Sequence, residues 1–156
     1  MELDSLYQEV ILDHYKHPLN KGLSQEYGVQ VRHINPSCGD EITLNLNVKD
    51  GAVMSITWDG VGCSISQASV SIASDLLLNK SLDQADSITE QFIELMHSKG
   101  TKQGDPLILE DAVALAGVSK FPARIKCALL GWMAFRDAAV RIRQSRDTDD
   151  VKRSSQ

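Results

Sequence analysis

Leu3, Leu6, Tyr7, Val10, Ile11 and Tyr15 recur at intervals of three and four residues, while Glu9, Asp13 and Lys16 fall on other faces. This spacing predicts an amphipathic helix over residues 3–16, ended by Pro18. Val29 and Val31 alternate with polar residues up to Asn35-Pro36, which reads as a short strand stopping at a turn. Ile42, Leu44, Leu46 and Val48 then alternate with Glu41, Thr43, Asn45 and Asn47. Asp50-Gly51 is the signal of a type I′ hairpin, and residues 52–58 supply the returning strand. Three sequential antiparallel strands with one apolar face need a cover. Residues 64–78 offer one, with Ile65, Ala68, Ile72, Leu76 and Leu77 at helical spacing. Ser87-Ile88-Thr89-Glu90 matches a capping box ahead of a short helix to His97, and 109–116 suits another short helix. Pro122 opens a last helix that carries Ile125, Leu129, Trp132, Phe135, Ala139 and Ile142 on one face. It is predicted to run about 20 residues, about 30 Å. The expected architecture is α+β: a small three-stranded antiparallel sheet with helices packed on one face and a long C-terminal helix. The polar tail, 145–156, is expected to fray.

A chain of 156 residues, 42% hydrophobic and 24% charged, is expected to form one domain over 1–156. A net charge of −5 argues against a nucleic-acid partner, which would demand clustered Lys and Arg. The longest apolar run, Cys127 to Phe135, is broken by Gly131 and falls far short of the ~20 residues that cross a bilayer. Met1-Glu2-Leu3-Asp4 lacks the basic start of a secretory signal, so a cytoplasmic protein is expected. Three cysteines, an odd count, then point to reduced thiols rather than a disulfide framework.

Those thiols carry the candidate chemistry. In Asn35-Pro36-Ser37-Cys38-Gly39-Asp40, Gly39 frees the backbone so that Cys38 and Asp40 can turn toward one centre. Cys63 stands at a predicted helix N-terminus, where free N–H groups and the helix dipole favour a thiolate. Cys127 lies about one turn inside the last helix, with Arg124 at i−3 and Gly131 at i+4, where a missing side chain lets another loop approach. Two readings stand at this point: a Cys3Asp metal site, or, for Cys127 above all, a small buried hydrophobe. Three thiolates and a carboxylate suit Zn²⁺, whereas Ca²⁺ or Mg²⁺ would want more oxygens. His14, His17 and His97 read as cations at helix C-termini, Glu110-Asp111 as helix N-terminal charge, and Arg141, Arg143 and Arg146 as a solvated face. A Cys38–His33 nucleophilic pair is disfavoured, because the strand pattern does not set the face of His33.

The turn at 35–40, the run Gly60-Val61-Gly62-Cys63-Ser64-Ile65-Ser66, and the opening from Leu6 to Tyr15 resemble iron–sulfur cluster assembly proteins of the IscU/NifU N-terminal type. The resemblance spans roughly residues 3–143. It implies that the Cys38 turn, the Cys63 turn and the start of the last helix converge on one exposed metal-binding face, with Cys38, Asp40, Cys63 and Cys127 as ligands. IscU-type scaffolds carry His directly before the third Cys and a Leu-Pro-Pro-Val-Lys segment gripped by a chaperone. Here the stretch is Phe121-Pro122-Ala123-Arg124-Ile125-Lys126-Cys127, with Lys126 in place of the His. Arg124 and the extra residues at 98–120 resemble instead the SufU branch, whose members bind zinc and accept sulfur from a PLP-dependent cysteine desulfurase of the SufS type. The function implied is a zinc-containing sulfur acceptor that works with that desulfurase and other cluster assembly proteins. A scaffold holding a [2Fe–2S] cluster or iron on the same ligands is the alternative, and a purely structural zinc a third. Cys38, on a turn beside Gly39, is expected to take the persulfide, because it can move at the lowest conformational cost. Arg124 is expected to offset the negative charge of the site.

Overall fold

Order along the chain follows from where the apolar stripes can be buried. The computed structural model of the protein describes residues 5–37 and 39–154. Helix α1 (Ser5–Lys16) leads to strands β1 (Val29–Asn35), β2 (Asp40–Lys49) and β3 (Ala52–Val61), followed by helices α2 (Ser64–Leu76), α3 (Leu82–Met96) and α4 (Pro106–Leu109). A 3-10 segment (Glu110–Lys120) then precedes the long helix α5 (Pro122–Ser154). The strands form one antiparallel sheet in the order β1-β2-β3. Asp50 and Gly51 both take positive φ, as the predicted hairpin requires. Val31, Leu44 and Trp58 lie side by side across the three strands and are buried, as are Leu46 and Ile56. Gln30, Arg32 and Asp59 face solvent on the other side. The helices cover the apolar face, α5 against β1 and β2 and α2 against β3. Among the described residues no helix is long and apolar enough to cross a membrane.

Two helices of this cover are locked together. Gly131 of α5 meets α2 so closely that a β-carbon there would sit 2.6 Å from the Cβ of Val70. The approach predicted at Gly131 is therefore made by a helix and not by a loop. Beside it, Ser69 Oγ donates to the Ala128 carbonyl at 2.6 Å and accepts from Trp132 Nε1–H at 2.9 Å. All of these side chains are buried. Trp132 also stacks on Phe92 of α3, with ring centroids 4.2 Å apart.

Several expectations change. The capping box is Ser81 with Gln84, not Ser87 with Glu90, so α3 starts five residues or more before the predicted position and holds Ile88 and Thr89 in its buried interior. The predicted helix at 109–116 is a 3-10 segment preceded by the single turn α4. The last helix, expected over about 20 residues, runs from Pro122 to Ser154. Arg143 is not a solvated charge: its guanidinium bonds Asp83 and Asp86 of α3. His14 is not an exposed helix-end cation either. It is 7% exposed, with Nδ1 2.9 Å from Ser71 Oγ and Nε2 2.9 Å from Asp111 Oδ2, while Ser71 Oγ accepts from the Leu19 N–H at 2.8 Å. A helix-end histidine on the buried side must satisfy both ring nitrogens, and α2 and the 3-10 segment supply the partners.

Gly131→Ala should destabilise the protein by about 1–2 kcal/mol in urea titration. Overpacking against Val70 costs about 1–3 kcal/mol, more than the roughly 1 kcal/mol that alanine gains over glycine in a helix. A more stable variant would mean that α2 and α5 separate freely.

Candidate metal centre

β1 and β2 end side by side, and the register pairs Asn35 with Asp40. That register sends both side chains to the inner face, where Asp40 is 1% exposed. A carboxylate this deep needs hydrogen-bond donors. One is the backbone N–H of Cys63, which donates to Asp40 Oδ1 at 3.0 Å. Cys63 is the N-cap of α2, with φ −74° and ψ 170°, and its own side chain makes no capping bond. The carboxylate of Asp40 thus joins the start of β2 to the start of α2. Gly62 makes the approach possible, since a β-carbon there would stand 2.6 Å from Asp40 Oδ1.

The free face of this junction holds sulfur. Cys63 Sγ lies 3.9 Å from Asp40 Oδ2 and 3.9 Å from Ser66 Oγ, and Ser66 donates to the Cys63 carbonyl at 3.1 Å. Cys127, one turn into α5 and 1% exposed, brings its Sγ within 3.8 Å of the Ala123 carbonyl. One oxygen of Asp40 and the two sulfurs all lie within 4.8 Å of one another. Tetrahedral coordination with Zn–S near 2.3 Å and Zn–O near 2.1 Å sets a sulfur–oxygen edge of about 3.6 Å. The spacing of Cys63 and Asp40 matches that edge to within a few tenths of an ångström. The donors fit a tetrahedral, thiolate-accepting ion, and a carboxylate with two thiolates is too poor in oxygen for Ca²⁺ or Mg²⁺.

Of the predicted site residues, Asp40, Cys63 and Cys127 come together. Cys38 lies outside the described residues. Its neighbours are turned back onto Asn35, whose Oδ1 accepts from the Ser37 N–H at 3.2 Å and whose carbonyl accepts from the Gly39 N–H at 2.9 Å. Arg124 and Lys126 are exposed on the first turn of α5, ahead of Cys127. His33 goes elsewhere. Its Nε2 pairs at 2.9 Å with Asp137, about 15 Å further along α5 than Cys127 at 1.5 Å per residue. Ser66 escaped the sequence reading. Its signal was a hydroxyl three residues after a cysteine at a helix start, which places it on the same face.

The His33–Asp137 pair ties β1 to α5. The hydrogen bond from His33, helped by the charge of Arg141 and opposed by burial, holds the Asp137 carboxyl below the ordinary carboxylate range.

The NifU-like N-terminal domain family matches residues 6–128. A Bacillus subtilis (strain 168) protein named zinc-dependent sulfurtransferase SufU is 44% identical over 132 residues, covering 85% of this chain and 88% of that one. A Streptococcus pyogenes serotype M1 protein named iron-sulfur cluster assembly scaffold protein IscU is 38% identical, covering 90% of this chain and 86% of its own. A crystal structure from Fervidobacterium islandicum AW-1, a candidate cluster assembly scaffold for the SUF system, superimposes with a TM-score of 0.75 at 27% identity. It covers 84% of this chain and 94% of that one.

Two outcomes are expected. Gly62→Ala should keep its far-UV circular dichroism but bind Zn²⁺ about tenfold or more weakly in chelator competition, the usual scale for disturbing the groups that orient a ligand. Unaltered affinity would remove Asp40 from the ligand set. Separately, because the carboxyl of Asp137 is lowered on folding, its contribution is present above the ordinary pKa of about 4 and is lost as pH falls through the lower folded value. The stability difference between wild type and Asp137→Asn should therefore shrink between pH 6 and pH 3 and stay below about 1 kcal/mol, since the pair is partly solvated.

Proposed function

Because this chain belongs to the NifU-like N-terminal domain family, we propose that it is a zinc-containing sulfur acceptor in iron–sulfur cluster assembly, served by a PLP-dependent cysteine desulfurase. The observation that supports this most is the gathering of Asp40, Cys63 and Cys127 within 4.8 Å at the mouths of three different elements. Cys38 is proposed as the fourth ligand and as the acceptor. When bound, Zn²⁺ would hold the thiolates together and favour their deprotonated form.

The remaining work falls to the chain itself. A desulfurase presents a cysteine persulfide, and the Cys38 thiolate attacks its outer sulfur. The donor's S–S bond breaks, the donor cysteine leaves as a thiolate, and the sulfur with its proton ends on Cys38 as a new persulfide, with no net oxidation or reduction. Asp40 is held by the Cys63 N–H and so keeps its place while a neighbouring thiol is spent. Cys63 is tied to the start of α2, and Cys127 is buried inside α5. Cys38 follows Ser37 in a turn and precedes Gly39, which takes φ +70°. It is the thiol whose backbone neighbours move most cheaply. The exposed Arg124 and Lys126 supply positive charge beside a site whose thiolates and carboxylate outnumber the charge of one zinc ion.

The S. pyogenes relative's name favours a second reading, a scaffold carrying a [2Fe–2S] cluster on the same four side chains. Anaerobic purification with metal and acid-labile sulfide analysis separates the two. About one zinc per chain and no visible colour is the expected result for the acceptor, whereas iron with sulfide would establish the scaffold. Zinc-loaded protein mixed with a desulfurase and free cysteine, then alkylated and mapped by mass spectrometry, should carry persulfide on Cys38. Label on Cys63 or Cys127 with Cys38 unmodified would reassign the acceptor, and no persulfide at all would reject sulfur transfer.

A further inference from the structure

Ser66 is buried in the first turn of α2, and the bond its hydroxyl makes there is not one the helix requires. Its Oγ–H donates to the Cys63 carbonyl at 3.1 Å, yet that carbonyl already accepts the Gln67 N–H at 3.1 Å as a regular helical bond. The hydroxyl therefore satisfies no backbone group that would otherwise be buried without a partner. Space is nonetheless kept for it. A β-carbon at Gly62 would stand 2.4 Å from Ser66 Oγ, as it would stand 2.6 Å from Asp40 Oδ1, so the glycine clears room for the hydroxyl as well as for the carboxylate.

The other neighbour of the hydroxyl is sulfur. Cys63 Sγ lies 3.9 Å from Ser66 Oγ and 3.9 Å from Asp40 Oδ2, and as a thiol it is the donor in both contacts. Ligation of a metal takes that proton away, because the ligand is the thiolate. A sulfur without its proton cannot donate, so its contact with Ser66 persists only with the roles reversed. The reversal costs little. A hydroxyl proton turns about its C–O bond, and no heavy atom has to move for it to leave the carbonyl and point at the sulfur. Ser66 is sealed from solvent, so water does not compete for its hydroxyl.

A hydrogen bond to a metal-bound sulfur draws on the electron density with which that sulfur would attack an electrophile, and partners of this kind tune what a metal site does. Burial shelters Cys127, which is 1% exposed, but Cys63 is only half-buried and within reach of an incoming persulfide. We propose that Ser66 donates to the ligated sulfur of Cys63 and so makes Cys63 the thiolate that stays on the metal while Cys38 reacts. The proposal rests on the sulfur-acceptor reading and adds to it a positioning residue that decides which ligand is spent.

The test reads the sulfur directly. Wild type, Ser66→Ala and Ser66→Thr are loaded with Co²⁺ for absorption spectra, and with Zn²⁺ for limited alkylation by iodoacetamide mapped by mass spectrometry. Ser66→Ala leaves no backbone group unpaired and places the best helix former in α2, so it should fold. Its sulfur-to-cobalt charge-transfer band should move to lower energy, and its Cys63 should be alkylated about tenfold faster, the lower end of the scale for losing a partner of a metal ligand. Ser66→Thr keeps the hydroxyl and should match wild type in both. An unchanged band and rate in Ser66→Ala, or the same changes in Ser66→Thr, would overturn the proposal while the metal centre stands. Persulfide supplied by a desulfurase, confined to Cys38 in wild type, should appear on Cys63 as well in Ser66→Ala. Absence of any persulfide from zinc-loaded wild type would instead reject the sulfur-acceptor reading, and the spectator role of Cys63 with it.

Discussion

The closeness of α2 and α5 at Gly131 and Val70 is the constraint on which the rest depends. Two helices can approach to this distance only where one of them lacks a side chain, and a buried serine then finds a carbonyl and an indole N–H within reach of one hydroxyl. The contact fixes how the axes lie, and each helix carries a cysteine near its N-terminal end. Cys63 caps one and Cys127 lies one turn into the other, so the separation of their sulfurs is decided by helix packing a full turn or more away. A centre built on two rigid helices is held more tightly than one built on loops.

Against those helices the sheet sets the oxygen. Asp40 is the first residue of β2, buried by the same alternation that buries Ile42 and Leu44, and its carboxylate accepts the N–H that would otherwise be unsatisfied at the start of α2. One oxygen accepts the Cys63 N–H and the other faces the Cys63 sulfur.

Much of this was legible in the chain. Alternation at Ile42 to Val48 and the Asp50-Gly51 turn set the hairpin, because a two-residue period and a positive-φ pair leave few other choices. Cys38 and Cys63 drew attention because the pattern sets both in Gly-flanked turns at element ends, where packing rarely asks for cysteine, whereas Cys127, one turn inside a helix, read equally well as a small buried hydrophobe. What was missed involved competition between equal local signals or partners distant in sequence. Ser81 and Ser87 each begin a box-like pattern, and the Ala85, Ile88, Phe92 and Met96 stripe, buried against α5 and its neighbours, decides for the first. In the 3-10 segment buried Ala112, Leu115 and Val118 repeat every three residues, a period that over so short a stretch is hard to tell from the 3.6 of an α-helix. His14 looked like a helix-end cation because its partners, Ser71 and Asp111, lie far along the chain.

The chain of contacts through His14 also makes one backbone amide informative about a remote segment. Ser71 Oγ accepts the Leu19 N–H while it faces His14 Nδ1, and His14 Nε2 reaches Asp111 in the 3-10 segment. Protection of the Leu19 amide against solvent exchange thus depends on a hydroxyl that the imidazole and carboxylate hold in place. Its exchange rate is a built-in gauge of whether residues 110–120 are docked on the body of the protein, readable without a label and without touching the cysteines.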